Sequence, residues 1–310
     1  MTRDACKSEA WFDEWIGFNL DSIKSMLEQA DKPSGNPSYR PQYIYEISNK
    51  YISLIFRKYS RGDSIYELLQ YLPRLIAAWE EAERLGNDVW TEKQQYTRHA
   101  WKVNLDHYIV CFWLVGLALS LNISDDLWQR LLALIGNEGE DALLDRIIAT
   151  RQPERRVGET LCHPMPYQRL FDAVLATPEK QPVLLRAFVD KWYRELNRSP
   201  KKGLSEETAV YERPYWYNSH KLEGGYFGYW CIEAVAAVKA FSIDDSLCLG
   251  HPNYPGDLLR PSEATTHPQV SVEQSESSGL TGLTGLPAAG ASTQSNGLLA
   301  RWFGRGKRRS

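Results

Sequence analysis

The sequence predicts an all-α protein, a helical bundle of two subdomains with a disordered C-terminal tail. Apolar residues recur with helical period in nearly every segment, and no run alternates as a half-buried strand would. Gly, Pro and Asn clusters fall between the periodic stretches, where helices must stop. The 310 residues carry Trp 11, Tyr 17 and Phe 9, enough large apolar side chains to build a sizeable core.

The elements follow in order. Trp11, Trp15, Phe18, Ile23, Met26 and Leu27 line one stripe of a first helix, opened by Ser8 and the first-turn acid Glu9. Pro33, Gly35 and Pro37 break the chain. Ile44, Ile47, Tyr51, Leu54, Ile55 and Tyr59 make a second stripe that ends at Arg61 and Gly62. A third helix runs to Leu85, with Pro73 inside it as an expected kink. Residues 90–121 read as one long helix, amphipathic at first and then apolar all round, which means buried on most sides.

Ser124, with Asp125 and Asp126 behind it, opens the second half. Short helices are expected over 127–135 and 141–149, and amphipathic ones over 167–176 and 182–196. The last strong helix is expected over 225–241; its Gly228, Ala234, Ala236, Ala237 and Ala240 make it thin and suited to a central, tightly packed place. The domain reading is therefore 1–122, 123–260, and a tail from 261 to 310. The tail is rich in Ser, Gly and Thr, too poor in apolar area to offset chain entropy, and ends in a basic stretch.

Charge and cysteine usage narrow the class. The formal net charge is -3, so a strongly basic nucleic-acid binder is disfavoured. The tail is net positive, which leaves residues 1–260 mildly acidic. Cys6, Cys111, Cys162, Cys231 and Cys248 are an odd set, three of them in apolar surroundings, as expected of reduced thiols in a cytoplasmic protein. The N-terminus lacks the apolar core of a signal peptide. The apolar run 109–121 is too short for a membrane span.

Catalytic patterns are missing: no phosphate-binding loop, no dinucleotide fingerprint, no zinc-protease or nucleophile-elbow motif. His99 and His107 lie eight residues apart without a carboxylate or His at the spacing a metal pair needs. Cys162 with His163, and Cys248 with His251, lack matching halves for zinc. No catalytic, cofactor or metal residue is therefore assigned. Glu233 stands in an apolar run and must be paired. It reads as a structural hydrogen-bond hub with His220, Lys221, Arg213, a tyrosine hydroxyl or the amides of 251–257 as partners. A hydrolase site around Glu233, His220 and Tyr226 is a minor alternative that would need a second titrating group.

The string GYFGYWCIEAVAAVK at 225–239, then Asp244 and Asp245, then HPNYPGDL at 251–258, with Trp216 and His220 upstream, resembles the C-terminal half of the PoNi-like cognate immunity proteins of bacterial polymorphic toxins. Residues 43–121 resemble the N-terminal half in order and length. The resemblance implies paired helical domains that bind a secreted toxin, often a DNase delivered by contact-dependent or type VI systems, inside the producer's cytoplasm and without catalysis or cofactor. The residues that carry it (Trp216, His220, Gly225, Tyr226, Tyr229, Trp230, Glu233, Tyr254 and Asp257) are expected to form a structural hub. A nuclease presents a basic surface, so an acidic surface would steer toward it. The acid-rich stretches are Glu80, Glu81, Glu83 and Asp88; Glu138, Glu140, Asp141 and Asp145; and Glu206, Glu207 and Glu212. The alternative from another class is a helical scaffold or adaptor with a non-toxin partner.

Overall fold

The computed structural model describes residues 2–33, 35–197 and 214–268, without the side chains of 219–221. All the regular elements among them are helical. Eleven α-helices are described: α1 Glu9–Ala30, α2 Arg40–Arg61, α3 Ile65–Leu68, α4 Leu72–Gly86, α5 Glu92–His99, α6 Leu105–Ser120, α7 Asp125–Ile135, α8 Leu144–Ala149, α9 Pro164–Leu175, α10 Gln181–Glu195 and α11 Ile232–Phe241. Glu206, Glu207 and Glu212, and the tail from 269, lie outside the described residues.

Helix starts follow local chemistry. Ser8 and Ser124 accept the backbone N–H of Trp11 and Leu127 through their hydroxyls. Thr91 and Gln94 form a reciprocal capping box on α5. The expected kink at Pro73 is instead a break: a 3-10 turn at Leu69–Tyr71 ends one helix, and Pro73 sits in the first turn of α4, where its missing N–H has no partner to lose. The expected long helix over 90–121 is likewise two. Ala100 turns extended at ψ 117, and Asn104 starts α6 afresh by accepting the His107 N–H at 3.0 Å.

From His107 to Leu119 every residue of α6 is buried. α6 packs along α11, and α1, α2, α4 and α7 follow one another beside it, while α9 and α10 pair as a hairpin. The α6–α11 approach is close because Gly116 faces Ile232 and Ala236: a Cβ at Gly116 would lie 2.6 Å from the Ile232 side chain and 3.1 Å from its carbonyl oxygen. Gly116→Ala is expected to lower stability by ~1–3 kcal/mol despite the better helix propensity of alanine, read as a lower urea midpoint. An unchanged or raised midpoint would show that the two helices can part freely.

Residues 225–231, expected to be helical, form an irregular loop. Gly228 adopts φ +97, a conformation L side chains rarely take, and the loop is held from outside. Arg57 of α2 donates to the carbonyls of Tyr226 at 3.1 Å and Gly224 at 2.5 Å. Asn253 accepts the Cys231 N–H at 2.8 Å and donates to the Tyr229 carbonyl at 2.9 Å. Both halves of the sequence feed one continuous core. Phe56, Trp113, Trp216 and Trp192 run through it as a chain of ring contacts with centroids 5.0, 5.3 and 6.0 Å apart.

Residues 261–268, expected to belong to the tail, are instead part of the body. Thr266 donates twice to Asp257 at 2.7 Å, and buried His267 meets the Tyr59 hydroxyl at 2.9 Å. Two polar anchors and the Trp230 ring beside His267 outweigh the poor composition of this short stretch.

Candidate toxin-binding surface

The carboxylates singled out in the sequence separate into buried braces and surface ion pairs. Asp141 and Asp145, expected on an acidic surface, are both 0% exposed. Their stretch holds a loop that reverses direction after α7, with Gly136, Asn137 and Gly139 all at positive φ. The loop's amides turn inward and need acceptors. Asp145 accepts the N–H of Gly139 and of Asp141, each at 3.0 Å, and of Gly158 at 3.3 Å. Arg155 closes on the same carboxylate at 2.8 and 2.7 Å and donates to the Gly136 carbonyl at 2.7 Å. Asp141 caps α8 through the N–H of Leu143 and Leu144, and takes the Tyr108 hydroxyl and the Cys162 N–H. Burial pushes the Asp145 carboxyl up, against the pull of those amides and Arg155. These two acids shape a surface they do not reach.

The surface they shape is one wall of an open cleft of ≈ 1030 Å³ between α5, α7 and the 136–156 segment. Glu138 and Glu140 stand on it. Glu138 accepts the Arg156 N–H at 2.8 Å, which holds its carboxyl below the usual range, and Glu140 meets Lys102 at 2.7 Å. Glu92 and Glu154 complete the acidic lining. Arg155 is neutralised by Asp145, so the solvent-facing charge is four carboxylates against Lys102 and Arg156. Tyr96 projects from α5 into this rim and is 61% exposed.

Of the first acidic stretch, Glu83 reaches the same cleft. Glu83 accepts from Trp79 at 3.0 Å and lies 3.0 Å from His99, itself a lining residue. Glu80 takes a fork of two bonds from Arg130 of α7 at 2.9 and 2.8 Å, which lowers its carboxyl. Glu81 pairs with Arg84 at 2.7 Å, and Asp88 is exposed. The basic partners Lys102, Arg130, Arg155 and Arg156 went unnoticed in the sequence, although the run RQPERR at 151–156 marks two of them.

The expected hub is several small networks, not one. Glu233 is 0% exposed, at the start of α11. It accepts the Tyr167 hydroxyl at 3.0 Å and the Trp192 N–H at 3.2 Å, and burial pushes its carboxyl up to about 7. Of the partners considered, a tyrosine hydroxyl is found; Arg213 and the side chains of His220 and Lys221 lie outside the described residues. Tyr226 donates to Asp4 at 2.6 Å, so it does not join Glu233. Trp230 donates to Ser60 at 2.8 Å, Tyr254 to Asp245 at 2.5 Å, and Asp257 receives Arg3 at 2.6 Å. Trp216 stacks in the core, and Tyr229 is half-buried against Tyr193. Gly225 donates to the Leu222 carbonyl at 3.0 Å, and the His220 side chain is not among those described. Cys162 and His163 turn to different carbonyls, those of Glu140 and Trp101. Among the described residues no helix is long and apolar enough to cross a membrane, and no three His, Cys, Asp or Glu gather as a metal site does.

Fold and surface together define a helical protein with several buried polar networks and one open cleft whose lining is mildly acidic and braced from within by Asp141 and Asp145. The chain belongs to the PoNi family of immunity proteins: the N-terminal model of PoNe immunity proteins matches residues 3–133 and the C-terminal one residues 139–258. It is an immunity protein by family. The crystal structure of protein PA2201 from Pseudomonas aeruginosa is similar at a TM-score of 0.61 and 20% identity, covering 84% of this chain and 90% of that one. At that identity the likeness speaks for the fold alone. No curated protein matches the chain by sequence.

Proposed function

We propose that the chain is a non-enzymatic inhibitor that binds a cognate DNase toxin in the cytoplasm of the producing cell, and that the α5–α7 cleft receives the toxin's basic surface. The observation that supports this reading is the cleft's acidic lining: Glu92, Glu138, Glu140 and Glu154 line it, Glu83 from the separate first acidic stretch meets its lining residue His99, and the exposed Tyr96 stands in it. Acidic rims raise association rates toward phosphate-binding surfaces, and an aromatic anchor lowers dissociation. The ion pairs themselves contribute little to folding, being solvent-screened, so their charges remain available to a partner.

Co-expression with the toxin encoded beside it should restore growth. Tyr96→Ala combined with Glu138→Lys should weaken the purified complex about 100-fold, with the charge change acting mostly on the on-rate at low salt. Continued killing with no soluble complex would overturn the reading, and a pull-down that returned structural or regulatory proteins and no toxin would favour a scaffold role.

A further inference from the structure

The cleft has one wall that the core does not fix. No residue of α5 is buried, although the helix carries Glu92, Gln95, Tyr96 and His99 into the lining. The nearest buried residues along the chain are Trp90 and Ala100, outside its two ends. A short helix without a buried apolar face is placed by its polar links instead of by packing. Glu83 of α4 holds His99 at 3.0 Å, and Asn104 at the head of α6 donates to the Arg98 carbonyl at 2.9 Å. Both links come from elements other than the facing wall, which α7 and the 136–156 segment build.

Asn137 belongs to the facing wall and reaches across. It follows α7 at φ +51, a left-handed conformation that asparagine tolerates better than most side chains. Its Nδ2 donates to the Ile135 carbonyl at 2.9 Å and to the His99 carbonyl at 3.0 Å, and its Oδ1 accepts the Trp101 N–H at 3.4 Å. A carbonyl only accepts and a backbone N–H only donates, so this set admits one orientation of the amide. The side chain thus pins the 99–101 stretch, where α5 ends, to the end of α7. A further bridge, Lys102 to Glu140 at 2.7 Å, joins side chains 55% and 43% exposed, where water screens most of its strength.

We propose that Asn137 is a positioning residue for toxin binding: its amide sets the spacing between Tyr96 on one wall and Glu138 and Glu140 on the other, so that the aromatic anchor and the acidic rim meet one toxin surface together. The inference rests on the toxin-binding reading above. A partner that engages both walls binds tightly only when they are held before it arrives, because ordering a loose wall opposes association.

Two substitutions keep the backbone turn and remove the clip. Asn137→Gly takes the positive φ without strain. Asn137→Asp keeps the shape and the accepting oxygen but loses both donated bonds, and it adds an acid to the lining. Were residue 137 only part of an acidic lining, Asn137→Asp would tighten binding to a basic partner; a lost clip weakens it. With the full chain and the catalytically inactivated toxin encoded beside it, both variants should bind about tenfold more weakly, mostly through faster dissociation. In the free protein, amide exchange over 96–101 should quicken about tenfold in Asn137→Gly, while the melting temperature falls by only a few degrees. Gly116→Ala, destabilised at the α6–α11 contact, should keep the parent's affinity. Parent-like or tighter binding by Asn137→Asp, unchanged exchange in Asn137→Gly, or an equal loss of affinity in Gly116→Ala overturns this inference alone. A parent that does not bind the toxin overturns the reading beneath it, and this inference with it.

Discussion

Glu233→Ala is expected to cost ~3 kcal/mol or more, and to leave Glu233→Gln much closer to the parent. The carboxylate is sealed in the core, and truncation strands the Tyr167 hydroxyl and the Trp192 N–H with no acceptor and no route to water. Glutamine keeps the accepting oxygen at similar volume. Urea unfolding of the two variants at one pH separates the possibilities: equal losses would mean that shape, not hydrogen bonding, is what the site demands.

The same residue sets a pH dependence with a definite sign. Burial penalises the charge and pushes its carboxyl up to about 7, from an ordinary value of 4.5. Between those values the folded state holds a proton that the unfolded state has lost, so stability falls as pH rises. The contribution is complete below about pH 4.5 and gone above about 7. Glu233→Gln should flatten this part of the profile of unfolding free energy between pH 5 and 8. An identical slope in parent and variant would place the titration elsewhere.

Asp145→Ala is the second large effect, expected at ~3–5 kcal/mol. It leaves Arg155, whose side chain is 5% exposed, charged without its partner, and it strands loop amides that have no substitute. Those amides belong to the turn that carries Glu138 and Glu140, so the damage extends to the cleft. Asp145→Ala should therefore lose toxin affinity as well as stability. Calorimetric unfolding alongside binding well below the lowered melting point checks both. A stable variant with full affinity would show that the wall needs no brace.

Helical period was enough to assign an all-α fold and a fully buried α6, because burial on every side demands the unbroken apolar run seen from residue 109 onward. It did not find the break at 100–104 or the irregular 225–231 loop. In the first, a capping asparagine overrode a continuous pattern; in the second, Arg57 and Asn253, distant in sequence, supply the hydrogen bonds that helix would have given. The acidic stretches were visible as charge. Which acids face water was not, since Asp141 and Asp145 are drawn inward by amides exposed through positive-φ turns. Glu233 was legible as a carboxylate in an apolar run, but its indole partner on α10 came from a helix whose packing no local spacing reveals.

Arg3 near one end of the body and His267 near the other are both fastened around Tyr59: the arginine donates to its carbonyl at 3.1 Å and to Asp257 at 2.6 Å, the histidine to or from its hydroxyl at 2.9 Å. Both ends of the described body are thus tied to the last turn of α2, so force applied at Arg3 or at His267 must first break contacts with that turn before the core beneath it can open.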